Sequence, residues 1–178
     1  MSKTILPFFI AIVCALTIAA SQQASLKFTV PSGWVEEERT SSMRVAQYKL
    51  PKATGDTEDA SLVLYYFGQS QGGSTAANME RWVSQMKQVD GSSSKDKAKE
   101  EQLEANGLKV ATIDISGTYV AETAPGSGTF HNKPGYRLRA GVVETPKGSY
   151  FVKLVGPEKT VAHWNDSFTS YLRSFEFK

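Results

Sequence analysis

The chain has 178 residues, a formal charge of +2 and 21% charged residues, with 40% hydrophobic residues to build a core. That length predicts one folded unit. The near-even charge excludes a bulk electrostatic footprint for nucleic acid, and no long basic or acidic run exists to steer a charged partner.

The N-terminal stretch has its own character. Lys3 opens it, residues 5–18 are apolar apart from Pro7, Cys14 and Thr17, and small or polar residues follow from Ala19 to Gln23. This is the three-part layout of a secretory signal peptide, with cleavage near residue 20, and the apolar run is short for a span, which needs about 20 residues. The expected product is an exported, periplasmic or extracellular protein whose domain is residues 21–178. Membrane contact is expected only through an uncleaved signal. Cys14 is the one cysteine, so the exported part folds on its core without disulfides.

Residues 26–30 (LKFTV) alternate and predict a strand ended by the turn at Pro31, Ser32 and Gly33. Residues 43–50 predict a second strand, and residues 61–67 (SLVLYYF), a continuous apolar run, a central strand buried on both faces. A glycine-rich connection, 68–73, leads to a helix capped by Ser74 or Thr75 and running to about Val89, with the stripe Met79, Trp82, Val83, Met86 and Val89. Residues 95–99 are charged and expected to be exposed. Residues 100–105 and 108–120 predict strands joined at Asn106-Gly107, a hairpin turn in which both residues accept positive φ.

Residues 121–135 form a loop rich in glycine and proline, long for a hairpin connection. Residues 136–144 alternate cleanly, with Tyr136, Leu138, Ala140 and Val142 inward and Arg137 and Arg139 outward. The strand 149–155 follows. Pro157 then opens a helix with the stripe Val161, Trp164, Phe168, Tyr171 and Leu172, and residues 175–177 predict a last short strand. Hairpin-joined strands with two main helices inserted predict an α+β fold with an antiparallel sheet.

The opening LKFTVPSGW, the strand and helix order, and the closing RSFEF resemble the Mog1/PsbP-like superfamily, which includes exported bacterial proteins of the DcrB type. The runs YYFGQSQGGS, NMERWVSQ, DISGTYVA and FVKLVGPEKTV are similar to those of uncharacterised exported bacterial proteins. The resemblance implies a sheet sandwiched between helices and mostly non-catalytic partner binding. It transfers no site residues.

Candidate chemistry is sparse. GQSQG at 68–72 fits the G-x-S-x-G elbow and would make Ser70 a hydrolase nucleophile, with His131 or His163 as base and Asp114 or Asp166 as acid. Against it, the helix cap follows Ser70 by four or five residues, where an elbow starts its helix almost at once. Gly68, Gly73 and Thr75 fall in register with a phosphate loop, but Ser74 replaces its lysine; a small anion at the helix N-terminus is the weaker version.

His163 and Asp166 are spaced to share a helix face, too few for zinc. Asp56, Glu58 and Asp59 share one loop without the glycine and distal glutamate of a calcium hand. Arg137, Arg139 and Lys153 are expected on one sheet face, with Asp114 or Glu144 across a strand. The reading is a monomeric, non-catalytic binding module without cofactor or metal, for an unknown protein partner. The expected contacts are Gly72 and Gly73 in the connection and Phe130 and His131 in the long loop. The alternative is a serine hydrolase acting through Ser70.

Overall fold

The computed structural model describes residues 25–178; the expected signal peptide and Cys14 lie outside the described residues. The fold is α+β. An antiparallel sheet carries β2 (Val35–Glu36), β3 (Arg44–Leu50), β4 (Ala60–Tyr66), β9 (Tyr150–Pro157), β8 (Lys133–Val143) and β7 (Leu108–Tyr119) side by side. At its far edge β7 pairs with both β6 (Lys99–Ala105) and β5 (Met86–Lys87). A separate ribbon joins β1 (Leu26–Lys27) to β10 (Glu176–Phe177) and ties the described N-terminal end to the C-terminus.

Helices cover the two sheet faces unequally. On one face lie α3 (Glu158–His163) and α4 (Asn165–Arg173). Val161, Phe168, Tyr171 and Leu172 there pack on Ala46, Tyr48, Leu62, Leu64, Val152 and Leu154. The other face receives α1 (Thr75–Ser84) and the short α2 (Ser94–Lys97). Met79 and Trp82 of α1 pack on Ile113, Ile115, Leu138, Ala140, Val142 and Phe151.

That second cover ends part-way across the sheet. One register row runs Gln47, Val63, Lys153, Ala140, Ile113. Ala140 and Ile113 are fully buried at its covered end. At the other end Gln47 is half-buried, and the Lys49 side chain beside it is 47% exposed. The sheet is thus closed by helices on one face and half-open on the other.

Several sequence expectations are corrected. The helix from Thr75 stops at Ser84 with Gln85 as its C-cap. Met86 is buried, as its spacing predicts, but in β5 opposite Tyr119, and Val89 is 88% exposed. Helical period and strand burial coincide at Met86, so spacing alone cannot separate them. The charged residues 95–97 are exposed, as expected, and lie in α2, and β2 and β5, at two residues each, have no legible pattern. The predicted strand 26–30 keeps only its first two residues. The last helix is interrupted at Trp164, whose φ −93 and ψ 10 separate α3 from α4. Pro157 ends β9 and sits at the N-cap of α3, one position earlier than expected. Asn106 and Gly107 adopt φ 50 and 82, the hairpin geometry predicted for them. The Asn106 amide also donates to the Arg173 and Phe175 carbonyls beyond α4.

Candidate functional site

Register decides where the cations fall. Cross-strand partners share a sheet face. Arg139 pairs with Leu154, and Lys153 pairs with Ala140. Arg137 and Arg139 therefore face α3 and α4, while Lys153 projects from the opposite, half-open face. The expected grouping of all three on one face is corrected by this one-residue parity.

Under α4 the cations are paired. Arg137 Nε donates to Asp114 Oδ1 at 2.7 Å, and Arg139 Nε lies 3.4 Å from Asp114 Oδ2, too poorly aligned to be a hydrogen bond. Arg139 Nη1 donates to the backbone oxygen and to Oδ1 of Asn165, both at 2.9 Å, and its guanidinium lies 4.7 Å from the Phe168 ring centroid. The hydrogen bond to Asp114 raises the Arg137 pKa, whereas burial lowers that of Arg139. The face on which alternation sets Arg137 and Arg139 outward is covered. Its side chains are 24% (Asp114), 20% (Arg137) and 12% (Arg139) exposed.

On the half-open face Lys49 lies 4.0 Å from Glu37, whereas Lys153, Arg81 and Arg44 meet only neutral groups. Lys153 Nζ donates to Gln85 Oε1 at 2.6 Å and to the Tyr119 hydroxyl at 2.9 Å. An ammonium has three donors, and the third has no acceptor among the described residues. Burial, with Arg81 nearby, pulls the Lys153 pKa down to about 8. Arg81, in the last turn of α1, donates to Asn78 Oδ1. Asn78 is itself fixed, because its amide donates to the Gly72 and Ser74 carbonyls at 2.8 and 2.9 Å. Arg44 donates to Gln47 Oε1 at 2.5 Å and lies 5.7 Å over the Tyr65 ring. The bordering carboxylates are already committed: Glu37 to Gln47 and Lys49, Glu58 to Lys133.

Aromatic rings surround these cations. Tyr65 and Phe67 stack at 5.8 Å and 5°, and Tyr119 stacks on Tyr136 at 6.3 Å and 10°. His131, from the long loop, stacks on the other side of Tyr119 at 5.2 Å. Burial, then the neighbouring Tyr65, pushes the Tyr119 phenol up to about 12, and burial with Glu58 nearby raises Tyr136 as well. Both stay protonated at neutral pH.

The other predicted residues are dispersed. Ser70 sits at the third position of a turn closed by Gln71 N to Gly68 O, with φ 60. The adjoining cleft, about 480 Å³, is lined by residues 69–71, Gly73, Ser74, Pro146, Gly148 and Ser149, none of them acidic, basic or histidine. No hydrogen bond joins Ser70 to His131 or His163 among the described residues. Asp114 is held by the arginines on the far face. His163 ends α3 while Asp166 begins α4, so they do not share one helix.

Gly72, φ 88, is a packing position: a Cβ there would stand 2.5 Å from the Phe151 ring. Gly73 is exposed before the Ser74 cap, whose hydroxyl accepts from Ala77 N. At the start of α1 the Thr75 hydroxyl donates to Glu144, so the carboxylate beside that N-terminus is the protein's own.

The acidic loop is a staple. Asp56 accepts from Thr160 N and Oγ1, Glu58 pairs with Lys133 at 2.7 Å, and Asp59 accepts from Lys52 N. Among the described residues no three metal-ligating side chains converge. The long loop extends the β7–β8 hairpin, with Glu122 opposite Phe130 and the Glu122 carboxylate accepting from Gly126 N and Gly128 N. Phe130 is 62% exposed at its end. A second cleft of about 720 Å³, between α1 and the β6–β7 hairpin, is lined by Glu80, Glu100, Glu101 and Glu144 with Lys95 and Lys109. Neither cleft contains the unpaired cations.

Fold and site together define an α+β protein with one closed and one half-open sheet face, the latter basic and aromatic. No protein-family description matches the chain, and no curated protein matches it. Among solved structures it is similar to a Pseudomonas aeruginosa protein of unknown function, at 16% identity over 88% of this chain and 85% of that one, with a TM-score of 0.42.

Proposed function

We propose that the chain is an exported, non-catalytic binding module that engages its ligand on the half-open sheet face. The signal-like N-terminal segment supports export, and the resemblance to the Mog1/PsbP-like superfamily supports partner binding over catalysis. One observation carries the reading: Lys153, Arg81 and Arg44 share this face, and each is hydrogen-bonded only to neutral oxygens. Of the three, Lys153 is the one whose charge is largely taken out of water, whereas Arg81 is exposed and Arg44 half-buried; a buried cation without a counter-ion is costly, and such perturbed groups concentrate at functional sites. His131, stacked on Tyr119, borders the same face, and the exposed Phe130 precedes it in the loop.

A benzophenone side chain at position 65 tests this, with Ser170, exposed on the outer side of α4, as control. After irradiation of producing cells, the intact mass of the recovered protein is expected to show an adduct at position 65 and none at 170. Equal labelling at both positions, or none at 65, contradicts the proposal.

A further inference from the structure

We infer that the half-open face takes a small organic anion, one that presents a carboxylate to Lys153 and Arg81 and lays a flat ring against Tyr65 and the Arg44 guanidinium above it. The inference rests on reading this face as the binding surface and adds the chemistry of the occupant.

The charge argument comes from the sheet itself. The protein places a carboxylate wherever it closes a cation under a helix, as Asp114 does for Arg137 and Arg139. On the half-open face it places Gln85, Asn78 and Gln47 instead. Those amides orient the cationic groups while leaving the charge uncompensated. Glu37 and Glu58, the acids at the border, serve Lys49 and Lys133. The missing charge is therefore negative, and the Lys153 donor without a protein acceptor is a ready contact for it. Carboxylate is one of the groups that ammonium and guanidinium bind through strong charge-assisted hydrogen bonds.

The ring argument comes from register. Tyr65 pairs with Phe151, one row along from Lys153 on the adjoining strand, and diagonal neighbours of this kind lie about 7–8 Å apart. That spacing suits a carboxylate carried on a six-membered ring. Tyr65 is stacked on Phe67 and carries the Arg44 guanidinium 5.7 Å over its ring, so a ligand ring set there meets a planar cation backed by an aromatic pair.

Benzoate, acetate and benzamide separate the two contributions in calorimetric titrations of the folded mature protein. Benzoate is expected to bind with a dissociation constant on the order of 1 mM or tighter. Acetate lacks the ring and benzamide the charge, and each is expected to bind at least about tenfold more weakly. Lys153→Met keeps the stem and removes the charge, and is expected to weaken benzoate about tenfold or more. Arg81→Gln is the second variant should the first not fold. No benzoate binding up to about 10 mM, or equal binding by wild type and variants, overturns the inference. The position-65 adduct distinguishes the two claims. An adduct of protein mass with no benzoate binding removes the small anion and leaves the binding module standing; no adduct removes the reading of the face itself.

Discussion

Two neighbouring residues of β9, Lys153 and Leu154, point to opposite faces of one sheet, and the chemistry around them differs. Beside Leu154 lies Arg139, closed under α4 with Asp114, Asn165 and the Phe168 ring to hold it. Around Lys153 lie an amide, a phenol and another cation. A cation without a counter-ion is expensive to bury. Where this protein uses cations to join helix to sheet, it provides a carboxylate. On the half-open face it leaves Lys153 without one, and the proposed binding role rests on that difference.

Removing Asp114 attacks the closed side and has the largest expected effect. Asp114→Asn leaves two largely buried guanidiniums facing each other, with an expected loss of about 3 kcal/mol, read as a lowered urea midpoint. Adding Arg139→Met to that variant should recover part of the loss, because the neutral side chain removes one of the unpaired charges. Full additivity of the two changes would show that they do not share a network.

Gly72→Ala comes next. Its Cβ would press on Phe151, under α1, from a backbone at φ +88, and the expected cost is roughly 2 kcal/mol by thermal melting. A loss of that size identifies Gly72 as a packing residue; an unchanged melting temperature returns it to the list of contact positions.

Lys153→Met should behave in the opposite sense to the Asp114 change, leaving stability unchanged or raising it by about 1 kcal/mol. The pH dependence sharpens the contrast. The folded Lys153 pKa is about 8, below the unfolded value of about 10.4. Between those values the unfolded chain binds more protons at this site, so wild-type stability is expected to rise as pH climbs from about 8 toward 10. Above about 10 the raised phenol pKa of Tyr119 works the other way, since the unfolded tyrosine ionises first. Urea midpoints across this range should show the rise in wild type and lose it in Lys153→Met. The smallest effect is expected at Ser70→Gly, which relieves a φ of 60 and should gain roughly 0.5 kcal/mol or less.

Most of the sheet is legible in the sequence because alternation and turn chemistry agree there. Asn106-Gly107 fixes the β6–β7 hairpin, and the apolar run at 61–67 marks β4 between two partners. The helices are less legible at their ends. Met86 fits a helical stripe and a buried strand equally, and nothing in the period marks the break at Trp164. The candidate site is readable only through register. Pairing Val143 with Tyr150 across the turn at 146–148 forces Arg139 opposite Leu154 and sends Lys153 to the other face. That parity was available as a signal in the hairpin. The neutral company of Lys153 was not, because Gln85 and Tyr119 are brought to it by β5 and by the irregularity between Gly117 and Tyr119.

The most direct test is a side-chain NMR titration of Lys153 in the folded protein, followed through its ε-carbon shift. A midpoint near 8 that moves upward when benzoate is added is the result expected of a cation held without a counter-ion and completed by an anionic ligand. A midpoint at the ordinary lysine value of about 10.4, unmoved by benzoate, would contradict it.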